Sequence, residues 1–184
     1  MIPGLKYYPD VVSPENETAL LTYLDSNYLT WDTTLNRRTQ QFGYTYSYNG
    51  GKLTLTQPIS GPILQLAEFL ISQGIFAPGA RLQCIVNEYT RNQGIAPHID
   101  APLFGPTVVS FSLGADAVMD FANKITGQST SLLLARGSLL VLTGPARSEW
   151  THGLDKRVTY NVNDVKITKP QNYRRVSLTF RTVI

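Results

Sequence analysis

The sequence predicts a mainly β, α+β fold: short strands packed as a sandwich, jelly roll or barrel, with two helices in front. Three observations carry this. Apolar segments of strand length recur between turn signals from residue 81 onward. Two capped helical patterns stand before residue 80. The hydrophobic share of 42% and charged share of 16%, over 184 residues, are those of a folded chain with a substantial core.

The first helix is predicted in "SPENETALLTYLDSN". Ser13 is its N-cap, Pro14 takes the first helical position, and acidic residues follow in the first turn. Next, "QFGYTYSYNGG" alternates Phe42, Tyr44, Tyr46 and Tyr48 with smaller residues, which predicts one strand closing in an Asn-Gly-Gly turn. A second helix fits "GPILQLAEFLISQG", where Ile63, Leu66, Ala67, Leu70 and Ile71 recur at helical spacing and Gly74 ends the run. The strands then follow as "RLQCIVNEY", "TVVSFSLG", "AVMDFAN", "SLLLARG", "SLLVLTG", "EWTHGL" and "RRVSLTFRTV". No internal repeat, linker or glycine-rich phosphate loop interrupts them.

Composition excludes several classes. One cysteine, Cys84, excludes an internal disulfide framework. No apolar run reaches the roughly 20 residues that a bilayer span needs, and "MIPGLKYYPD" has no secretory-leader pattern. An intracellular protein is expected, cytoplasmic or nuclear, with no membrane partner. Residues 1–130 hold 7 Lys/Arg against 10 Asp/Glu, whereas residues 131–184 hold 9 against 3. That basic C-terminal third suits either an anionic partner such as nucleic acid or a merely soluble surface.

The chain has two histidines, His98 and His152. In an extended segment residues two apart share a face, so His98 and Asp100 of "PHIDAP" project together. Alone, that pair is either half a metal site or a polar strand end. His152, in "EWTHGL", would complete a set of two imidazoles and one carboxylate, the facial arrangement of non-haem Fe(II) oxygenases. The strand "RRVSLTFR" adds Arg175 and Arg181, which an even offset puts on one face with Ser177 and Thr179, opposite Val176, Leu178 and Phe180. A buried guanidinium suits bidentate carboxylate binding, and a dicarboxylate would use two.

Together the segments "NEYTRNQGIAPHID", "VVSFSLGADAVMDF", "GSLLVLTGPARSEWTHGL" and "RVSLTFR" resemble the AlkB family of Fe(II)- and 2-oxoglutarate-dependent dioxygenases, over about half the chain. The resemblance implies a double-stranded β-helix, with residues 81–184 as jelly-roll core and residues 1–80 as helices and a substrate-recognition lid. The whole of 1–184 would be a single dioxygenase domain, working as a monomer. It implies that His98, Asp100 and His152 bind Fe(II), and that Asn87, Tyr89, Arg175 and Arg181 bind 2-oxoglutarate, with O2 as oxidant. Tyr44 matches a substrate-contacting tyrosine of the family's founding enzyme. Tyr44, Tyr46 and Tyr48, with Arg37 and Arg38 just before them, could supply the aromatic lid and basic groove that a base needs, strand packing being the alternative for the tyrosines. The implied substrate is a nucleic-acid base, single-stranded or flipped out, in RNA or DNA, either demethylated at an N-alkyl group or hydroxylated as a modified nucleoside, with tRNA among the carriers. Two departures weigh against copying the founding enzyme's preference: Pro102 stands in place of an acid and Ser131 in place of an arginine. The alternatives are a protein or small-molecule hydroxylase of the same class and a non-catalytic jelly-roll binding module.

Overall fold

The computed structural model describes residues 2–26, 28–47, 51–162 and 165–184. In chain order the first half holds β1 (Leu5–Tyr8), α1 (Pro14–Leu24), β2 (Arg38–Phe42), β3 (Tyr44–Ser47), β4 (Lys52–Leu55), α2 (Gly61–Ser72) and β5 (Leu82–Thr90). There follow β6 (Ile95–His98), β7 (Phe104–Leu113), β8 (Ala117–Asn123), β9 (Ser129–Leu134), β10 (Leu139–Leu142), α3 (Gly144–Ser148), β11 (Trp150–Leu154), β12 (Thr159–Val162), β13 (Val165–Thr168) and β14 (Arg174–Val183). The major sheet runs β1-β10-β7-β14-β5-β2 and the minor sheet β6-β11-β8-β9, with β3-β4 and β12-β13 as separate hairpins. This is the expected jelly roll. Among the described residues no helix is long and apolar enough to cross a membrane.

The period-2 pattern of the central strands decides the layers. Val176, Leu178 and Phe180 of β14, with Cys84 and Val86 of β5, pack against Leu20, Leu24, Ile63, Ala67 and Leu70 of the two helices. The opposite face of the major sheet meets the minor sheet, where Tyr89, Val108, Met119, Phe121, Leu140, Leu142 and Leu154 form a second cluster. Asn87 and Tyr89 of β5 and Arg175, Ser177, Thr179 and Arg181 of β14 open into a cavity between the sheets.

Helix α1 starts as its caps predict: the Ser13 hydroxyl accepts the Asn16 N–H at 3.2 Å. Its first-turn Glu17 does more than complement the helix dipole. It is buried, accepts the Gly114 N–H at 2.6 Å and pairs with Arg136, so it ties the helix to the β7–β8 turn. Gly114 sits at φ +81°, where a Cβ would lie 2.5 Å from the Arg174 carbonyl oxygen.

The aromatic stretch departs from the expected single strand. Gly43, at φ +75°, breaks it into β2 and β3, because any Cβ there would meet the Leu82 carbonyl at 2.2 Å. Phe42 therefore turns into the helix-side core, while Tyr44 and Tyr46 leave on the β3–β4 hairpin. Tyr48 and the Asn-Gly part of the turn lie outside the described residues. Strand β1, the β12–β13 hairpin and helix α3 are further elements that the sequence reading did not contain.

Candidate functional site

The pairing of β6 with β11 sets His98 directly across from His152, with ring centroids 4.5 Å apart. Asp100 follows just beyond β6. One ligand atom from each of the three lies within 4.8 Å of the others. The His98 Nδ1 lies 2.9 Å from the Ala96 carbonyl, an oxygen that can only accept, so Nδ1 donates there and Nε2 is the nitrogen left to face a metal.

Asp100 is buried and held on one side. Its Oδ1 pairs with the Arg181 Nη1, while Oδ2 lies 3.4 Å from the His152 Nε2 and accepts no hydrogen bond among the described residues. Burial alone would raise its carboxyl pKa. Arg181, then His152, His98 and Arg147, outweigh that and hold it below the ordinary carboxylate value. The His152 pKa is also shifted down, here by burial, which pushes its imidazole to about 4, so it is neutral at pH 7. Of seven buried, unbonded side-chain polar atoms among the described residues, three are Asp100 Oδ2, His152 Nδ1 and Arg175 Nε. Unmet bonding capacity is thus concentrated here. Two imidazole nitrogens and a carboxylate with a free oxygen fit a divalent transition metal, Fe(II) included.

The imidazole shift carries a testable consequence. An unfolded chain protonates this histidine near 6.5, whereas the native protein resists until about 4. Protons bound to the unfolded state alone favour unfolding. The metal-free protein should therefore lose about 3 kcal/mol of stability as pH falls across that window. Urea midpoints with chelator at pH 7 and pH 5 should show about 2 kcal/mol of it; a flat profile would contradict the burial of His152.

The co-substrate residues expected from the sequence line the same cavity: Asn87, Tyr89, Arg175 and Arg181, with Ser177 and Thr179 between the arginines. Arg175 is 1% exposed; its Nη2 donates to the Ser112 Oγ at 2.9 Å, and its guanidinium lies 5.5 Å from the Tyr89 ring centre. Arg181 also donates to the Gln83 Oε1 at 3.1 Å and stacks on Phe104 at 3.9 Å.

The four substrate candidates separate. Arg37 lines the cavity and donates from Nε to the Asn87 Oδ1 at 2.7 Å. Arg38 does not line the cavity. Register pairs it with Glu88, on the helix side of the sheet, where it forms two 2.7 Å bonds to that carboxylate and stacks over Trp31 at 4.7 Å. Tyr46 is one ring removed from Arg181, through Phe104 at 5.6 Å. Tyr44 lies beside Arg81, 5.6 Å from its guanidinium, and neither tyrosine is part of the cavity wall itself. Ser131 pairs with Asp120 and hydrogen-bonds its carboxylate at 2.6 Å, so it too lies off the cavity wall.

Sequence reasoning missed Ser112, Gln83, Phe104 and Arg147. Each acts by holding a site residue, and their positions follow from register and loop path rather than from any motif.

Residues 4–181 match the 2OG-Fe(II) oxygenase superfamily. The chain is 30% identical over 98% of its length to the tRNA (carboxymethyluridine(34)-5-O)-methyltransferase ALKBH8 of Macaca fascicularis, and spans only 30% of that protein. It is 29% identical, also over 98% of its length, to the probable RNA/DNA demethylase ALKBH6 of Danio rerio, spanning 86% of it. Among solved structures, OsALKBH1 superposes with a TM-score of 0.72 at 18% identity, covering 99% of this chain and 98% of that one. At such identity the likeness is one of fold.

Proposed function

This chain belongs to the 2OG-Fe(II) oxygenase superfamily as an AlkB-like dioxygenase, and from that premise we propose that it oxidises a nucleic-acid base. The base is presented single-stranded or flipped out, and loses an N-alkyl group or gains a hydroxyl as a modified nucleoside, tRNA being one carrier. The observation that carries the reading is the charge of the cavity: among the described residues Arg37, Arg175 and Arg181 face a single carboxylate, Asp100. Iron and a dianionic co-substrate cancel each other, so loading leaves that positive excess in place. A phosphodiester substrate suits it better than a neutral one. The names of the relatives, one a tRNA enzyme and one a probable RNA/DNA demethylase, agree with it.

His98, Asp100 and His152 would hold the iron, which with O2 couples decarboxylation of 2-oxoglutarate to succinate with insertion of one oxygen atom into a substrate C–H bond. The protein supplies position. The Ala96 carbonyl fixes the His98 tautomer, and Arg181 orients Asp100. Arg175 takes the distal carboxylate of 2-oxoglutarate, with Asn87 and Tyr89 beside it, while Arg181 stands near the end that meets the metal. Val108, Met119, Leu140 and Leu142 give the cavity an apolar wall that limits water. Arg37 meets a substrate phosphate, and the apolar face of the β3–β4 hairpin, with Tyr44 and Tyr46, receives the base. We place this activity in the cytoplasm, or the nucleus of a eukaryote, in a monomeric single domain.

A non-catalytic binding module is set aside, because the family is enzymatic and the ligand set is complete. The test is aerobic incubation with Fe(II), 2-oxoglutarate and a panel of methylated oligonucleotides and bulk tRNA, read by mass spectrometry for succinate and nucleoside masses. Nucleoside change coupled to succinate is expected, and Arg37→Ala should raise the substrate KM more than it lowers kcat. Succinate formation with no affinity for any oligonucleotide would instead favour a protein or small-molecule hydroxylase.

A further inference from the structure

Arg147 lies on α3, five residues before His152, and is 9% exposed. No carboxylate lies within ion-pair distance of it among the described residues. Its hydrogen bonds go to backbone carbonyls of the loop after β6 and of the first two residues of β7. Nη1 donates to Asp100 O at 2.9 Å, Nη2 to Ala101 O at 3.0 Å and Phe104 O at 3.3 Å, and Nε to Gly105 O at 3.3 Å. A buried charge needs such compensation, and the fork of a guanidinium can reach several carbonyls that an ammonium cannot serve together.

The two ends of Asp100 are therefore held by two arginines. Arg181 grips the carboxylate, and Arg147 grips the main chain of the same residue. Arg147 also fixes Phe104, the ring on which Arg181 stacks. Helix α3 is itself anchored: Ala146 N–H donates to Pro3 O and Thr143 N–H to Gly4 O, both at 2.9 Å. From α3 the chain runs directly into β11, which carries His152.

We propose that Arg147 is a positioning residue for the metal site, clamping the 100–105 loop so that Asp100 keeps the spacing to His98 and His152 that a metal ion requires. It touches neither substrate nor co-substrate and acts through the loop. The inference rests on those three residues being the metal ligands.

The test uses the full chain as Arg147→Met and Arg147→Lys, with wild type and His152→Ala as references. Mn(II) affinity is measured by calorimetry, thermal melting without metal, and turnover against Fe(II) concentration. Arg147→Met should weaken Mn(II) binding by about 10- to 100-fold, the usual cost of losing a partner that orients a ligand. Arg147→Lys should recover part of that loss. The apparent KM for Fe(II) should rise in both, with excess Fe(II) restoring much of the turnover. Wild-type Mn(II) affinity in the variants would overturn the proposal. So would a loss of turnover that excess Fe(II) does not restore, and so would failure of both variants to fold, since Arg147 would then be a structural plug. His152→Ala separates the underlying assignment: wild-type Mn(II) affinity there would refute the ligand set, whatever Arg147 does.

Discussion

Asp100→Asn should abolish Fe(II)-dependent succinate formation, a fall of about 1,000-fold or more, equivalent to about 4 kcal/mol in the barrier. Asparagine matches the size of aspartate, removes the charge and exchanges one acceptor oxygen for an NH2 donor, so the effect reports the carboxylate chemistry rather than packing. Among the described residues Asp100 is the single carboxylate lining the cavity, and it carries two duties. It is the anionic member of the ligand set, and it is the partner of the buried Arg181. Neutralising it leaves Arg181 without its acid, and breaking one half of a buried pair costs about 3–5 kcal/mol. The variant should therefore also melt lower than wild type in chelator. Differential scanning fluorimetry with and without Mn(II) checks both duties. Wild type should gain stability with the metal by mass action, and the variant should gain none. A metal-induced shift of wild-type size in Asp100→Asn would remove Asp100 from the ligand set.

Much of this site was legible in the sequence, and the reason is periodicity. Strands β5 and β14 lie side by side in the interior of the sheet, with a helix layer on one face and the cavity on the other. Alternation therefore separates Val176, Leu178 and Phe180 from Arg175, Ser177, Thr179 and Arg181 without ambiguity. The histidines were legible because the chain has only two. What stayed hidden depends on register. Arg37 and Arg38 are neighbours in sequence, and nothing local says which faces the cavity. The pairing of Thr39 with Asn87 and Arg38 with Glu88 decides it. Arg147 stayed hidden because it recognises backbone carbonyls, which carry no residue code. Strand β1 and the β12–β13 hairpin are four-residue strands whose short apolar content gives pattern reading little to work on.

Arg175→Met should move function and stability in opposite directions. In the protein without co-substrate, Arg175 is fully enclosed, with one hydrogen bond to Ser112, an unbonded Nε and no carboxylate within ion-pair distance among the described residues. Burial pushes its pKa down, which means that the folded state bears a cost for keeping the charge. An apolar side chain of similar length removes that cost, so the variant should melt no lower than wild type in buffer alone, and higher if methionine packs well against Tyr89. Binding should respond the other way. A dicarboxylate entering the wild-type cavity finds an unpaired guanidinium already fixed in place, and removing one half of a buried charge pair typically costs about 2–5 kcal/mol. The affinity for 2-oxoglutarate should accordingly fall by about 100-fold or more, as read by calorimetry with Mn(II) present. 2-Oxoglutarate at about ten times the wild-type Kd should raise the melting temperature of the wild type and leave that of the variant almost unmoved. The two readouts bear on one arrangement of atoms. A variant that melted much lower yet still gained stability from 2-oxoglutarate would show that Arg175 is a packing element and that the distal carboxylate is held elsewhere.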